Sequence, residues 1–447
     1  MGKTPVPARE GQPSGQAPRS PDEKRGKVHS LMGQVLDPRR LRAAYEAVRG
    51  NHGEPGVDGV TVEAFGEELE ANLAALAVEL RAKTYRPQPV QRVWIPKPDG
   101  DRRPLGVPAV RDRVVQQAVR QVLEPIFEAD FSPHSHGFRP GRSTFSALRE
   151  LYGQVRDGHV YIVDVDIEKF FDEIPHKPLI EAVAERVADG SVLRLVRLFL
   201  EALIQDGYRL TRPKAGTPQG GVVSPLLANI YLARLDRVLE AEGVSFVRYA
   251  DDVRLTSRTG AGARQALKRT GEILTGLGLR LSERKTKLVT LAQGVDFLGY
   301  RLIVRKGHLH VWLTPKVLKH FREEIRWLTR RTAGKSLRVV VARLDRYVRG
   351  WGEYFKRAQV AGVFDRCDRW ITRRLRAFVA KRWRNGVWRR YPDQYFWFHL
   401  GLTRLYHQRR DFIRELEARR RAGNRPVERS AGNPHATFVR GTEVGSW

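Results

Sequence analysis

Tyr249-Ala250-Asp251-Asp252 lies between the apolar stretches Val244–Val247 and Val253–Leu255, which places two adjacent carboxylates at a tight turn between short strands. Divalent-metal chemistry on phosphates needs such a pair. Two ions about 4 Å apart can activate an attacking hydroxyl and hold a leaving pyrophosphate, and they demand hard oxygen ligands on a rigid frame. Two solvated acids closing an ordinary hairpin would read the same way, so a second source of carboxylate has to decide.

Residues 160–167, Val-Tyr-Ile-Val-Asp-Val-Asp-Ile, supply one. They predict a β-branched, nearly continuous apolar strand that ends in acid and runs into Glu168-Lys169-Phe170-Phe171-Asp172. A buried strand tolerates a carboxylate only if its desolvation is compensated, and a metal ion compensates most effectively. Side chains alternate along a strand, so Asp164 and Asp166 share a face and compete for the role.

The elements that must position these acids follow from the pattern along the chain. Residues 1–32, with Pro5, Pro7, Pro13, Pro18 and Pro21 among Gly, Ser and charged residues, predict a disordered basic tail. Residues 33–89 predict a helical segment: Leu36, Leu41, Tyr45 and Val48 mark one amphipathic helix, residues 61–82 a second, and Pro87 and Pro89 an extended exit. From 90 to 306 short apolar strands alternate with helical stretches, an α+β pattern. Beyond Pro315 the spacing of Leu337, Val341, Leu344 and Val348 predicts helices, with 307–415 read as one all-helical region and 416–447 as a polar tail.

Asp166-Ile167 with Phe170-Phe171-Asp172 and Ile174, then Gly216–Leu232 containing Pro218-Gln219-Gly220-Gly221, then Tyr249–Asp252, closely resemble in order and spacing the reverse transcriptases encoded by bacterial group II introns. Ile95–Gly100 with Arg103–Gly106, Gly137–Ser143, Gly278–Ser282 with Lys285-Thr286, and Phe297–Tyr300 extend the resemblance over about residues 34–410. It implies a right-handed polymerase, with fingers and palm over 90–306, an N-terminal extension before them, and a thumb or maturase domain after them.

The resemblance also selects Asp166 over Asp164. It implies that Asp166 and Asp251 bridge two Mg²⁺ ions, that Asp252 is a weaker ligand, and that the Ile167 carbonyl completes the shell. Lys97, Arg103, Gln219 and Lys285 are implied at the incoming dNTP. Phe170 and Phe171 are implied beside it, with Phe171 as steric gate against a ribose 2′-hydroxyl. Arg139 and Arg142 are implied along the template.

Charge names the partner class independently. The chain carries 80 Lys and Arg against 50 Asp and Glu, a net charge of +30, which calls for a polyanion. Residues 311–420 hold 29 Lys and Arg against 10 Asp and Glu, so +19 of the excess sits in about a quarter of the sequence. Arginines interleaved with Trp383, Trp388, Tyr391 and Tyr395–Phe398 suit RNA, and Arg349, Arg384, Arg389 and Arg390 are the expected contacts, with about half of the rings expected in a core.

The single cysteine, Cys367, excludes an intrachain disulfide and multi-thiolate zinc, and fits a reducing cytoplasm. No apolar run suggests a membrane span. The family's endonuclease domain carries paired cysteines and histidines that this sequence lacks, so priming from an existing 3′-end is expected. The resemblance therefore implies an RNA-directed DNA polymerase that works on an RNA template with a DNA primer. It further implies binding of the encoding group II intron RNA to assist splicing, and retrohoming into a DNA target, in a bacterial cytoplasm close to nucleoid or RNA. A host-adopted relative serving repair or defence, or a maturase with a vestigial polymerase, are the alternatives.

Overall fold

The computed structural model describes residues 26–96, 102–332, 334–359, 361–380 and 387–421. It opens with α1 (Met32–Val35) and α2 (Pro38–Arg49). Asp37 caps α2 by accepting from the Arg39 amide at 2.9 Å, Pro38 fits its first turn, and Leu41, Ala44, Tyr45 and Val48 form its buried face. The tail expected over 1–32 is drawn too long. Val28 bridges in parallel to Val187 and Leu31 is buried, whereas residues 1–25 lie outside the described residues.

The helix expected over 61–82 is two, α3 (Val62–Glu67) and α4 (Leu69–Arg81). Glu68, at φ −116° and ψ 42°, breaks it, and the Asn72 side-chain amide donates to the Phe65 carbonyl at 3.0 Å across the break. β1 (Val90–Pro96) and β2 (Arg102–Val107) then pair antiparallel.

The central part runs through α5 (Val110–Glu128), α6 (Thr144–Arg156), β3 (Tyr161–Val165), α7 (Phe170–Glu173), α8 (His176–Ala184) and α9 (Gly190–Leu200). It continues with β4 (Ile204–Asp206), β5 (Arg209–Thr211), α10 (Ser224–Ala241), β6 (Phe246–Tyr249), β7 (Asp252–Ser257), α11 (Gly260–Gly276) and β8 (Lys287–Thr290). Its principal sheet has the order β6-β7-β3-β8, and a second sheet joins β2-β1-β4-β5. Alternation makes the principal sheet a wall between two cores. Val163, Val165, Phe246, Val253 and Leu255 face one core with α5, α8 and α10, while Ile162, Val247 and Tyr249 face the other with α6 and the later helices.

β9 (Val295–Phe297), β10 (Tyr300–Arg305) and β11 (His308–Leu313) form a small antiparallel sheet that leads into α12 (Pro315–Leu328), α13 (Leu337–Phe355), α14 (Ala361–Val379) and α15 (Val387–Arg390). A π-helical turn at Tyr395–His399 and α16 (Leu405–Arg421) follow. The boundary expected at 307 falls on the turn of the β10–β11 hairpin, where Lys306 and Gly307 take φ of 51° and 75°. The helices begin at Pro315, behind the cap that Thr314 gives the Val317 amide, and α16 runs past the expected limit of 415. Residues 422–447 lie outside the described residues.

Trp351 packs between Phe321 and Phe355 at ring separations of 4.3 and 4.8 Å. The Tyr354 hydroxyl donates to the Leu298 carbonyl at 3.1 Å, so the helical region is tied to the strands beneath it. Among the described residues, no helix is long and apolar enough to cross a membrane.

Candidate active site

The β6–β7 hairpin pairs Tyr249 with Asp252 and turns through Ala250 and Asp251, with Ala250 in the left-handed region at φ 59°. β3 pairs antiparallel with β7 through Val165 and Val253, so the next position on each strand is Asp166 and Asp252. Topology thus brings the end of β3 beside the acidic turn. The Asp166 backbone is fixed from the other side, because its carbonyl accepts from the Ser282 amide at 2.8 Å and its amide donates to Thr286 Oγ1 at 3.3 Å.

The turn rests on a buried polar scaffold. Arg248, fully buried in β6, donates to Asp236 Oδ1 at 2.8 Å and Oδ2 at 2.5 Å, to Asn229 Oδ1 at 2.9 Å, and to the Ala250 carbonyl at 2.9 Å. Asn229 donates in turn to the Gly137 carbonyl at 2.8 Å. The loop bearing Gly137 is held along β6 by His136 N–H to Arg248 O and Arg248 N–H to His134 O, both at 2.8 Å. His136 lies between Ser146 Oγ at 2.8 Å and Glu150 at 2.6 Å.

A Cβ on Gly137 would come within 2.3 Å of the Ala250 nitrogen, so only glycine lets this loop meet the turn. Gly137→Ala is expected to shift the turn and slow DNA synthesis by roughly 100-fold, since a displacement of about 1 Å in reacting groups costs that much. Primer extension with a thermal melt of the same preparation checks it. Wild-type synthesis would contradict it.

The acids repel one another in a partly desolvated place. Burial, then repulsion from Asp166, holds the Asp251 carboxyl above the usual range against the pull of Arg103 and Arg248. Burial also raises Asp252 against the pull of Arg254, and raises Asp164, which pairs with Arg254 at 2.7 Å. Asp164 is thereby occupied as a structural partner of Arg254. Asp252 also turns to Arg254, while Asp166 faces Lys285 Nζ at 3.4 Å.

Among the described residues, no three His, Cys, Asp or Glu side chains already surround an ion position. The donor chemistry nevertheless fits a hard divalent cation: three carboxylates at adjoining strand ends, two of them raised by burial and mutual repulsion that such an ion would relieve. Asp252 meets Arg254 through Oδ1, so as a ligand it would divide its carboxylate between Arg254 and the ion. The Ile167–Leu281 bridge is made by the Asp166 carbonyl and the Glu168 amide, so the Ile167 carbonyl stands outside it.

On the other side, Gln219 links β2 to α7. Its Oε1 accepts from Arg103 Nε at 2.9 Å, and its Nε2 donates to Asp172 Oδ1 at 3.2 Å. The Gly106 amide donates to the Gln219 carbonyl at 2.5 Å, and a Cβ on Gly220, at φ 108°, would lie 2.2 Å from the Gly106 carbonyl. Phe171 is half-buried and meets Phe170 edge-on at 5.2 Å. Phe170 was expected beside the nucleotide. It is instead a core residue, 2 % exposed, and cannot reach a ligand.

Arg139 is a second correction. Expected along the template, it is buried, with Nη2 and Nε on Glu128 at 2.8 and 3.1 Å and Nη1 on the carbonyls of Ser132 and Ser135. Its donors are spent on the loop. Arg142 is half-buried and donates to the Pro133 carbonyl at 2.8 Å. Arg349 is exposed and pairs with Asp345 at 2.8 Å, and Arg389 and Arg390 are exposed, lying over Trp388 and Tyr391. Lys97 and Arg384 lie outside the described residues. Phe396 is fully buried, Tyr391, Tyr395 and Trp397 pack partly against the core, and Trp388 and Phe398 are exposed.

Residues 95–302 match the family model for reverse transcriptase (RNA-dependent DNA polymerase), and residues 318–396 match the model for the group II intron maturase-specific domain. Protein YkfC of Escherichia coli (strain K12) is similar, 33% identical over 322 residues that cover 63% of this chain and 84% of that protein. Group II intron-encoded protein LtrA of Lactococcus lactis subsp. cremoris is 38% identical over 206 residues, covering 45% of this chain and 34% of that protein. Putative COX1/OXI3 intron 1 protein of Saccharomyces cerevisiae is 28% identical over 402 residues, covering 76% of this chain and 47% of that protein. The chain thus spans most of the first relative and less than half of the other two.

Proposed function

Because the chain belongs to the reverse transcriptase (RNA-dependent DNA polymerase) family and carries a group II intron maturase-specific domain, we propose that Asp166, Asp251 and Asp252 form its polymerising centre. The enzyme is an RNA-directed DNA polymerase, and its second domain gives it a role in splicing. The observation that carries the proposed site is the strand register, which sets Asp166 opposite Asp252 and beside the Asp251 turn.

Two Mg²⁺ ions bound by Asp166 and Asp251, with Asp252 and the Ile167 carbonyl in support, would supply the polarisation that makes a primer 3′-hydroxyl nucleophilic and neutralises pyrophosphate. The chain's own side chains do the rest. Lys285, already drawn to Asp166, is placed to move toward a triphosphate and give its proton to the departing pyrophosphate. Arg103 and Lys97 supply cations for the phosphates, and the bond to Gln219 holds Arg103 against the loop where the base and sugar would sit.

Phe171 closes the sugar side. Its backbone carbonyl accepts from the Thr217 amide at 2.7 Å, which fixes the main chain that carries the ring, and the ring rests edge-on against buried Phe170. Phe171→Ala is expected to raise ribonucleotide incorporation relative to deoxyribonucleotide by at least about tenfold, measured as a ratio of kcat/KM values. An unchanged ratio would remove Phe171 from the gate.

The template is RNA with a DNA primer, and the intron RNA that surrounds the reading frame is the proposed cognate of the helical domain, with retrohoming into DNA as its consequence. Sequencing RNA that copurifies with the protein tests this: a flanking structured intron is the expected recovery, and random cellular RNA would count against it.

A further inference from the structure

We propose that the groove between α12 and α14 is a binding site for the phosphate backbone of an RNA strand separate from the primed template. This rests on the reading that the helical domain serves RNA. The groove is a cavity of about 560 Å³ edged by Arg322 and Arg326 from α12 and by Arg366, Arg369 and Arg373 from α14, with Trp370 in its wall. All five arginines are exposed. Every lining residue falls within the 318–396 match, and none comes from the strands that carry the acidic centre.

Helical geometry creates the alignment. Arg322 and Arg326 stand one turn apart on α12, about 6 Å along its axis, while Arg366, Arg369 and Arg373 recur at intervals of three and four on one face of α14. Two facing rows of cations repel each other, and the groove contains little to neutralise them. Among the described residues its ion pairing is confined to Asp365 with Arg369, at 3.0 Å. A polyanion threaded between the rows would remove that repulsion and release its own counterions.

The chemistry favours nucleic acid over an acidic protein surface. The cationic positions are all arginine, whose planar forks take phosphate oxygens in pairs, and Arg326 lies over the Trp370 ring at 5.8 Å, leaving a cation and an aromatic plane where an unpaired base would stack. The groove floor is apolar, with Leu318, Val363 and the buried thiol of Cys367, which suits the ribose and base of a single strand.

The test uses the full chain with Arg322→Gln, Arg366→Gln and Arg373→Gln combined. A short fluorescein-labelled single-stranded RNA is titrated by anisotropy while an unlabelled RNA–DNA primer duplex fills the polymerase cleft. RNA affinity at moderate salt is expected to fall roughly 10- to 100-fold, and the slope of log K against log salt to shrink by about 2, as for three lost phosphate contacts. Extension of the primed template should keep its wild-type rate, which also shows that the triple variant is folded. Unchanged affinity and slope would overturn the proposal. So would an equal loss in primer extension, which would put the groove on the template track, or equal displacement by polyglutamate, which would make it an acidic-protein site. A wild-type chain that fails to extend any primer would instead sink the polymerase reading, and the anisotropy arm would stay interpretable.

Discussion

Asp251→Asn and Asp166→Asn are each expected to reduce RNA-templated DNA synthesis by roughly 1000-fold or more, with Asp252→Asn severe but less so. The order follows from position. Asp251 sits at the tip of the turn and Asp166 at the open end of β3, whereas Asp252 already gives one carboxylate oxygen to Arg254. Loss of function should not come with loss of fold. Burial raises the Asp251 carboxyl above its unfolded value, so its ionisation opposes folding at every pH above that unfolded value. At neutral pH the isosteric amide removes this opposition, and Asp251→Asn should melt no lower than wild type, and higher if anything. Single-nucleotide extension together with a thermal melt reads both. An active Asp251→Asn enzyme, or an inactive one that melts much lower, would refute the assignment.

Arg248→Met is expected to destabilise the protein by about 3–5 kcal/mol, because it strands the buried carboxylate of Asp236 without a partner. Packing Met against Leu in Arg248→Met/Asp236→Leu removes both charges and should restore most of that stability, as apolar replacements of buried ion pairs commonly do. Activity should not return with it. The Ala250 carbonyl and Asn229 would still lack the guanidinium that orients the acidic turn, so the double variant is predicted to fold, to keep its KM for dNTP, and to lose kcat by roughly 100-fold. A double variant as active as wild type would reduce Arg248 to a structural residue.

How far the sequence could reach is visible at particular residues. The acids were legible because carboxylates at the end of an apolar strand and in a hairpin turn break a pattern that burial otherwise enforces. Arg248 breaks the same pattern between Val247 and Tyr249, and a lone arginine in an apolar strand was the available signal for the scaffold beneath the turn. Arg139 misled because an arginine among Gly and Pro reads as an exposed loop, and nothing local announces Glu128 eleven positions earlier. The local pattern does not separate Phe170 from Phe171, since adjacent positions differ only in which way the backbone turns, and Lys169 enters α7 at φ 42°. The pairing of Val28 with Val187 joins residues distant in the chain, which periodicity does not encode. The strand order β6-β7-β3-β8 is of that kind too, and it brings Asp166 to the acidic turn.

Anomalous scattering from a crystal of the protein grown with Mn²⁺, a primed RNA template and an incoming dNTP tests the central claim most directly. Ions shared by the carboxylates of Asp166 and Asp251 beside the triphosphate, with Asp252 in support, are the predicted result. An ordered nucleotide with no ion at these aspartates, or with its metal held by other side chains, would contradict it.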